Sequence, residues 1–331
     1  MKQAKAEPGQ ILDGRFLLRE EIGRGGMATI FKAEDLQNPG QLVAVKVPLP
    51  IFGSGLGAWS MFQREEEIGR LLDHPYLLKF VPLAADRRRS YMVTEYVAGR
   101  PLSERLREKR PLSEPEALSM ASRVCEALEH LHRQGIVHYD VKPANIIECP
   151  DGSIRLIDFG MAHAASTRRF SWSAAPAIAS ADCVAPEQIR RQKGRTSVDI
   201  YALGAVLYEM LTGSEPFPGD DPFKVASARL IADPAAPRSL NPRVSPQAEE
   251  IVLRALRRSP AERYATAAAM REDLDRPEHV ALSGISDRLQ PVTAWRRRLR
   301  WARYLIVFVA LPIAVQVALF LLLWWSFARK H

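Results

Sequence analysis

The apolar positions of this chain change period partway along it. Between Arg15 and about Phe80 they alternate or gather in short β-branched runs, over residues 16–22, 29–35 and 41–47. Such runs predict strands that turn one face to a core. A helical period follows over 61–72, and a further strand is expected over 91–97. Residues 48–59, PLPIFGSGLGAW, are rich in Gly and Pro and read as a connection. After Gly99 and Pro101 the period becomes helical, over 102–107, 115–134, 198–211, 246–257 and 266–274. A strand-rich part followed by a helix-rich part predicts an α+β fold of two lobes with a cleft between them. The expected organisation is a polar lead over 1–13 and a globular domain over 14–275, its smaller lobe ending near 97.

The pattern changes again near the C-terminus. Residues 276–303 read as a polar linker that becomes basic. From Tyr304 to Phe327 there are 24 residues without a charge, interrupted by Gln316 and Ser326. At about 1.5 Å per residue such a helix exceeds the ~30 Å hydrocarbon core of a bilayer. Trp301, Tyr304, Trp324 and Trp325 stand at its ends, where amphipathic rings favour the interface, and a membrane helix accommodates Pro312. Five arginines precede the segment, against Arg329 and Lys330 in the short tail 328–331. The positive-inside bias therefore predicts a single-pass protein of the inner cell membrane with its globular part in the cytoplasm. So short a tail reads as the end of an anchor rather than an external sensor.

Composition narrows the function. The chain has 331 residues, 47% hydrophobic and 25% charged, which suits a folded domain. Its net charge of +8 comes almost entirely from the seven cations beyond residue 295, leaving +1 for the remainder. That distribution points to membrane lipid and away from nucleic acid. Cys125, Cys149 and Cys183 are too sparse for a disulfide framework or a zinc site. The start, MKQAKAEPGQ, has no apolar run behind its charges and does not read as a signal peptide.

The chemistry lies in three places. Ile22-Gly23-Arg24-Gly25-Gly26-Met27-Ala28-Thr29-Ile30 joins two strand-like runs, and its glycines let backbone N–H groups approach phosphates. Dinucleotide folds also use such a loop, but they follow it with a helix, whereas Thr29 and Ile30 continue a strand. Lys46 ends the apolar run Val43-Ala44-Val45, where a cation needs an anionic partner. Glu65 is the best carboxylate for it, with Glu66 as the fallback. Finally, His138-Tyr139-Asp140-Val141-Lys142-Pro143-Ala144-Asn145 precedes Asp158-Phe159-Gly160. Asp140 suits proton acceptance from a hydroxyl, Lys142 suits charge neutralisation, and Asn145 and Asp158 offer hard oxygens for Mg²⁺.

With these motifs in order, the chain resembles the Hanks-type serine/threonine protein kinases of the bacterial branch over about residues 12–275. Asp73-His74-Pro75, Ala185-Pro186-Glu187 and Asp199-x-Tyr201-x-x-Gly204 complete the likeness. The resemblance implies a bilobal kinase fold that binds ATP and Mg²⁺, with Mn²⁺ as a substitute, and phosphorylates Ser/Thr hydroxyls of proteins. It assigns Lys46, paired with Glu65, to the α/β-phosphates, Asp140 to the catalytic base, Lys142 to a phosphate contact, and Asn145 and Asp158 to the metal. The nucleotide would meet the loop Gly23 to Ala28. Its adenine would lie between Ile22, Ile30 and Ala44 above and Ile147 below, with Ile157 behind, Thr94 as gatekeeper and the Glu95–Val97 hinge bonding it. Glu187 should pair with Arg263, and Asp199 should hold the catalytic loop. The alternative, a pseudokinase scaffold, is disfavoured because the whole polar set is present, and the Ala185-Pro186-Glu187 and Asp199 elements argue against a small-molecule kinase. The sequence leaves self-association open.

Three departures stand out. Tyr139 replaces the arginine that pairs with a phosphorylated activation segment in most such kinases, which predicts activity not gated by phosphate. The activation segment carries Thr167-Arg168-Arg169, an Ala/Ser-rich stretch and Ser180 where the family favours threonine. Ser166, Thr167, Ser171 and Ser173 are candidate autophosphorylation positions. Gly69 stands one turn after Glu65, where a larger apolar residue is usual, and predicts a loose contact toward Phe159 and His138.

Overall fold

The alternation of Val43, Val45 and Val47 with Ala44 and Lys46 sets the geometry of the smaller lobe, because a strand sends successive side chains to opposite faces. In the computed structural model, which describes residues 6–25, 28–49, 56–83, 90–108, 110–164, 183–192 and 194–291, five antiparallel strands lie in chain order. They are β1 (Ile11–Leu12), β2 (Phe16–Arg24), β3 (Ala28–Asp35), β4 (Leu42–Pro48) and β5 (Met92–Glu95). One face packs Phe16, Leu18, Phe31, Ala33, Val43, Val45 and Val93 into a core. The register sets Ile30 opposite Lys46 and Ala44 opposite Thr94, so these four share the other face. Two register shifts in β2 break its ladder and curl the sheet. The lead expected to be merely polar contributes Ala6 and Leu12 to this core.

The helix of this lobe, α1 (Leu56–Gly69), starts and ends earlier than its apolar period suggests. Gly57 lies within it despite the Gly-rich reading of 48–59. Pro75 disfavours helical backbone at His74, and the chain unwinds through turns over Arg70–Leu72.

The larger lobe is built around buried helices. Short strands β6 (Arg100–Pro101), β7 (Ile136–Val137), β8 (Ile146–Glu148), β9 (Ile154–Leu156) and β10 (His163–Ala164) line its cleft side. After α2 (Leu102–Leu106), α3 (Glu114–Arg133) buries Ala117, Ala121, Val124, Cys125, Leu128 and Leu131 along one stripe. α4 (Pro186–Ile189) precedes α5 (Ser197–Thr212), which is buried on nearly every side and ends on Gly213 at φ +70°. Gly204 lets Ala255 approach it, since a Cβ there would lie 2.7 Å from the alanine Cβ. α6 (Pro222–Ile231), α7 (Pro237–Leu240), α8 (Pro246–Ala255) and α9 (Ala267–Asp275) complete the lobe. Asp221, Ser245 and Thr266 cap α6, α8 and α9 by accepting from main-chain N–H groups of the first turn.

The linker expected after 275 begins as part of the domain. Ile285 is buried, Ser283 donates to Glu250, and Asp233 and Gln290 exchange main-chain and side-chain bonds. Among the described residues no helix is long and apolar enough to cross a membrane. The expected span 304–327 lies outside the described residues, as do Gly26, Met27 and most of the activation segment.

Candidate active site

Lys46 faces the cleft because its strand neighbours Val45 and Val47 take the core side. Its ammonium donates to both oxygens of Glu65, at 2.8 and 2.7 Å, and lies 3.8 Å from Asp158. Burial opposes that charge, but the two carboxylates outweigh it and hold Lys46 above its ordinary value. Burial likewise opposes the Asp158 carboxylate, which Lys46 nevertheless keeps below the usual range. Of the two glutamates left open by the sequence, Glu65 takes the lysine, while Glu66 pairs with Arg70 at 2.6 Å.

Asp158 adopts φ +67°, a left-handed conformation that an aspartate tolerates better than most residues. The next side chain, Phe159, is fully buried, with its ring 5.4 Å from His138 and 6.2 Å from Phe80. The loose contact expected at Gly69 is not found. A Cβ there would lie 2.2 Å from the Phe80 ring, which fills the space itself.

The catalytic-loop residues meet at Asp140. Lys142 Nζ donates to Asp140 Oδ2 at 2.7 Å, and Asn145 Nδ2 donates to the same oxygen at 2.9 Å and to the Asp140 carbonyl at 2.8 Å. Among the described residues no hydrogen bond reaches Asp140 Oδ1 or Asn145 Oδ1. Below, the fully buried Asp199 accepts from the main-chain N–H groups of His138 and Tyr139 at 2.9 and 2.8 Å, and from His132 Nε2 at 2.8 Å. Glu187 and Arg263, both buried, form a two-pronged pair at 2.7 and 2.8 Å.

The apolar walls of the cleft follow from the same register. Ile30 and Ala44 are half-buried on the cleft face, Thr94 and Ile147 are buried, and Ile22 is 44% exposed at the rim. Ile157 is half-buried and donates its N–H to Asn145 O at 2.9 Å. Gly25 N donates to Ala28 O, closing the glycine hairpin, while the Arg24 side chain is engaged by Glu21. In the hinge, Thr94 Oγ1 donates to the Glu95 carbonyl, the Glu95 side chain bonds Arg155 at 3.2 Å, and Val97 is half-buried. Gly99 brings the hinge onto β8, since a Cβ there would meet Glu148 O at 2.4 Å. Gly99, Phe80 and Gly194, whose carbonyl accepts from the Tyr139 hydroxyl, carry no local motif, and Gly69 is the one sequence signal that points toward Phe80.

Among the described residues no cluster of three or more His, Cys, Asp or Glu side chains could hold a metal by itself. Asn145 and Asp158 nonetheless fit Mg²⁺, which takes one or two protein oxygens and completes its shell with phosphate and water. Lys46 beside Glu65 and Asp158, with Asp140, Lys142 and Asn145 gathered on the larger lobe, is an arrangement suited to phosphoryl transfer.

Residues 16–274 match the family described as the protein kinase domain, and the chain belongs to that family. It is 36% identical over 272 residues to the serine/threonine-protein kinase PknB of Mycolicibacterium smegmatis, covering 81% of this chain and 43% of PknB. It is 35% identical over 266 residues to the serine/threonine-protein kinase PrkC of Bacillus subtilis, covering 80% of this chain and 41% of PrkC. The chain thus spans about two-fifths of the length of these relatives.

Proposed function

We propose that this protein is an ATP-dependent serine/threonine protein kinase held at a membrane. The observation that carries the reading is the assembled polar set. Lys46 is locked to Glu65 and points at Asp158, while Asp140 sits between Lys142 and Asn145. Phosphoryl transfer asks for positioning and charge neutralisation more than covalent chemistry.

Lys46 would hold the α/β-phosphates. Asp140 would orient the acceptor hydroxyl and take its proton as the oxygen bonds the γ-phosphorus and the bond to the β-phosphate oxygen breaks. Lys142 would neutralise charge on the moving phosphoryl group. Asn145 and Asp158 would hold Mg²⁺, or Mn²⁺ in its place, whose charge offsets that of the phosphates. The Lys142-Pro143-Ala144-Asn145 form and the two named relatives favour serine and threonine of proteins as acceptors. A pseudokinase would not need every one of these groups. Transfer of γ-phosphate to a generic basic protein, measured against Asp158→Ala, tests the reading; equal rates would overturn it.

The membrane part rests on the uncharged stretch 304–327 and its flanking arginines. The excess of arginines before the stretch supports a kinase domain in the cytoplasm, at the inner cell membrane. Fractionation tests it: the full chain should stay with membranes after alkaline carbonate washing, and a chain ending at Pro291 should not. A soluble full chain would refute it.

A further inference from the structure

Tyr139 is the one residue of the catalytic loop whose chemistry departs from the resemblance, and the structure gives its hydroxyl a definite partner. Tyr139 Oη donates to the carbonyl of Gly194 at 2.8 Å. Gly194 lies in the connection between α4 and α5, five residues before Asp199. Asp199 in turn accepts the main-chain N–H of Tyr139 at 2.8 Å. Tyr139 is therefore held at two points, by its backbone at the start of α5 and by its side chain at Gly194 in the connection before it.

The two sides are matched in shape. A Cβ at Gly194 would lie 3.1 Å from Tyr139 Cε1 and 2.6 Å from Val198 Cγ1, so the ring packs where only a glycine leaves room. Tyr139 itself has φ +64°. That left-handed turn is costly for an aromatic residue and lets the consecutive N–H groups of 138 and 139 converge on one carboxylate. Burial, with Asp199 adding to it, raises the Tyr139 phenol, so the hydroxyl stays neutral and remains a donor.

We infer that Tyr139 is a positioning residue, clamping the catalytic loop to the α4–α5 connection through Gly194 and holding Asp140 ready without an activation-segment phosphate. An arginine beside the catalytic aspartate places a cation that phosphate neutralises when it orders the segment. Tyrosine brings no charge to neutralise, and its polar atom is satisfied within the lobe. This rests on the kinase reading above.

The test uses the full chain. Tyr139→Phe keeps the ring and the main-chain bonds but removes the bond to Gly194. Turnover should fall about five- to tenfold, with the KM for ATP within about twofold. Hydrogen exchange at the amides of Val198 and Asp199 should quicken. Gly194→Ala should do the same by pushing the ring away. Phosphatase treatment of the wild type should change its turnover by less than about twofold. Unchanged exchange and turnover in Tyr139→Phe, or loss of wild-type turnover after phosphatase, overturns the clamp. If the wild type transfers no phosphate in either state, the kinase reading fails, and the exchange measurement still decides the clamp.

Discussion

Phe80 occupies the volume that a side chain at Gly69 would need, its ring lying 2.2 Å from the Cβ position of that glycine. The contact joins the end of α1, which carries Glu65, to Phe159 and through it to His138. The volume that Gly69 leaves open on the helix is filled from across the gap by Phe80. Phe80→Ala should therefore cost about 2 kcal/mol, less than a fully buried phenylalanine because Phe80 is half-buried. Gly69→Leu should also destabilise, by overpacking. The double variant should be more stable than the sum of the two losses predicts, because each change relieves the other. Urea unfolding of all three measures this; simple additivity would show that the residues are not coupled.

The division of labour between Glu65 and Glu66 predicts unequal effects. Glu65→Gln should lower turnover about tenfold, since Lys46 loses the charged partner that fixes it. Glu66→Gln should change turnover by less than about twofold, because Glu66 serves Arg70. Steady-state rates at saturating ATP compare them.

Asp140→Asn should lower kcat about a thousandfold while leaving the KM for ATP within about twofold, as expected for a group that acts on the acceptor proton. Asn145 and Lys142 both donate to Asp140 Oδ2, so an amide placed with its NH₂ there would also face two donors. A KM change without a kcat change would assign Asp140 to nucleotide binding instead.

The buried pair of Glu187 and Arg263 lies far from the chemistry in role. Removing one partner strands the other charge, so Glu187→Gln should destabilise by about 3–5 kcal/mol. Arg263→Lys should not restore the two-pronged geometry and should also destabilise. Thermal unfolding with and without nucleotide reads both.

Asp35 supplies a pH dependence. Hydrogen bonds from Arg15, opposed by burial, hold its carboxyl at about 2, below the ordinary 3.8. The folded state thus binds fewer protons than the unfolded state between these values, and the pair stabilises the fold above about pH 4. That contribution should disappear as pH falls from 4 toward 2. Asp35→Asn should cost about 1–2 kcal/mol near neutrality and progressively less below pH 4, measured by urea midpoints across that range.

Much of the architecture can be read from local signals. Period-two runs mark β2, β3 and β4 because a pleated strand turns every second residue to the core. The amphipathic stripe of α3 and the apolar run of α5 mark the larger lobe for the analogous helical reason. Asp140, Asn145 and Asp158 stand in contiguous motifs, so their chemistry is legible without a fold. β6, β10, α4 and α7 are not, since two to four residues hold no period and depend on their neighbours, whereas the β-branched Ile136-Val137 and Ile146-Ile147 beside the catalytic loop do suggest β7 and β8. α6 shows only its Asp221-Pro222 start.

What tertiary structure decided are relations between distant residues. Glu65 and Glu66 are adjacent acids on one helix, and only the placement of that helix against β4 turned one to Lys46. Gly69 read as a gap until Phe80, eleven residues on, was folded into it. Tyr139 read as a missing arginine until Gly194 came within reach of its hydroxyl. Sequence by itself determined which groups this protein has for phosphoryl transfer, because those are a matter of residue type and spacing. Which of them touch, and what fills each space, was decided by packing, because close contact depends on three-dimensional volume that no local pattern encodes.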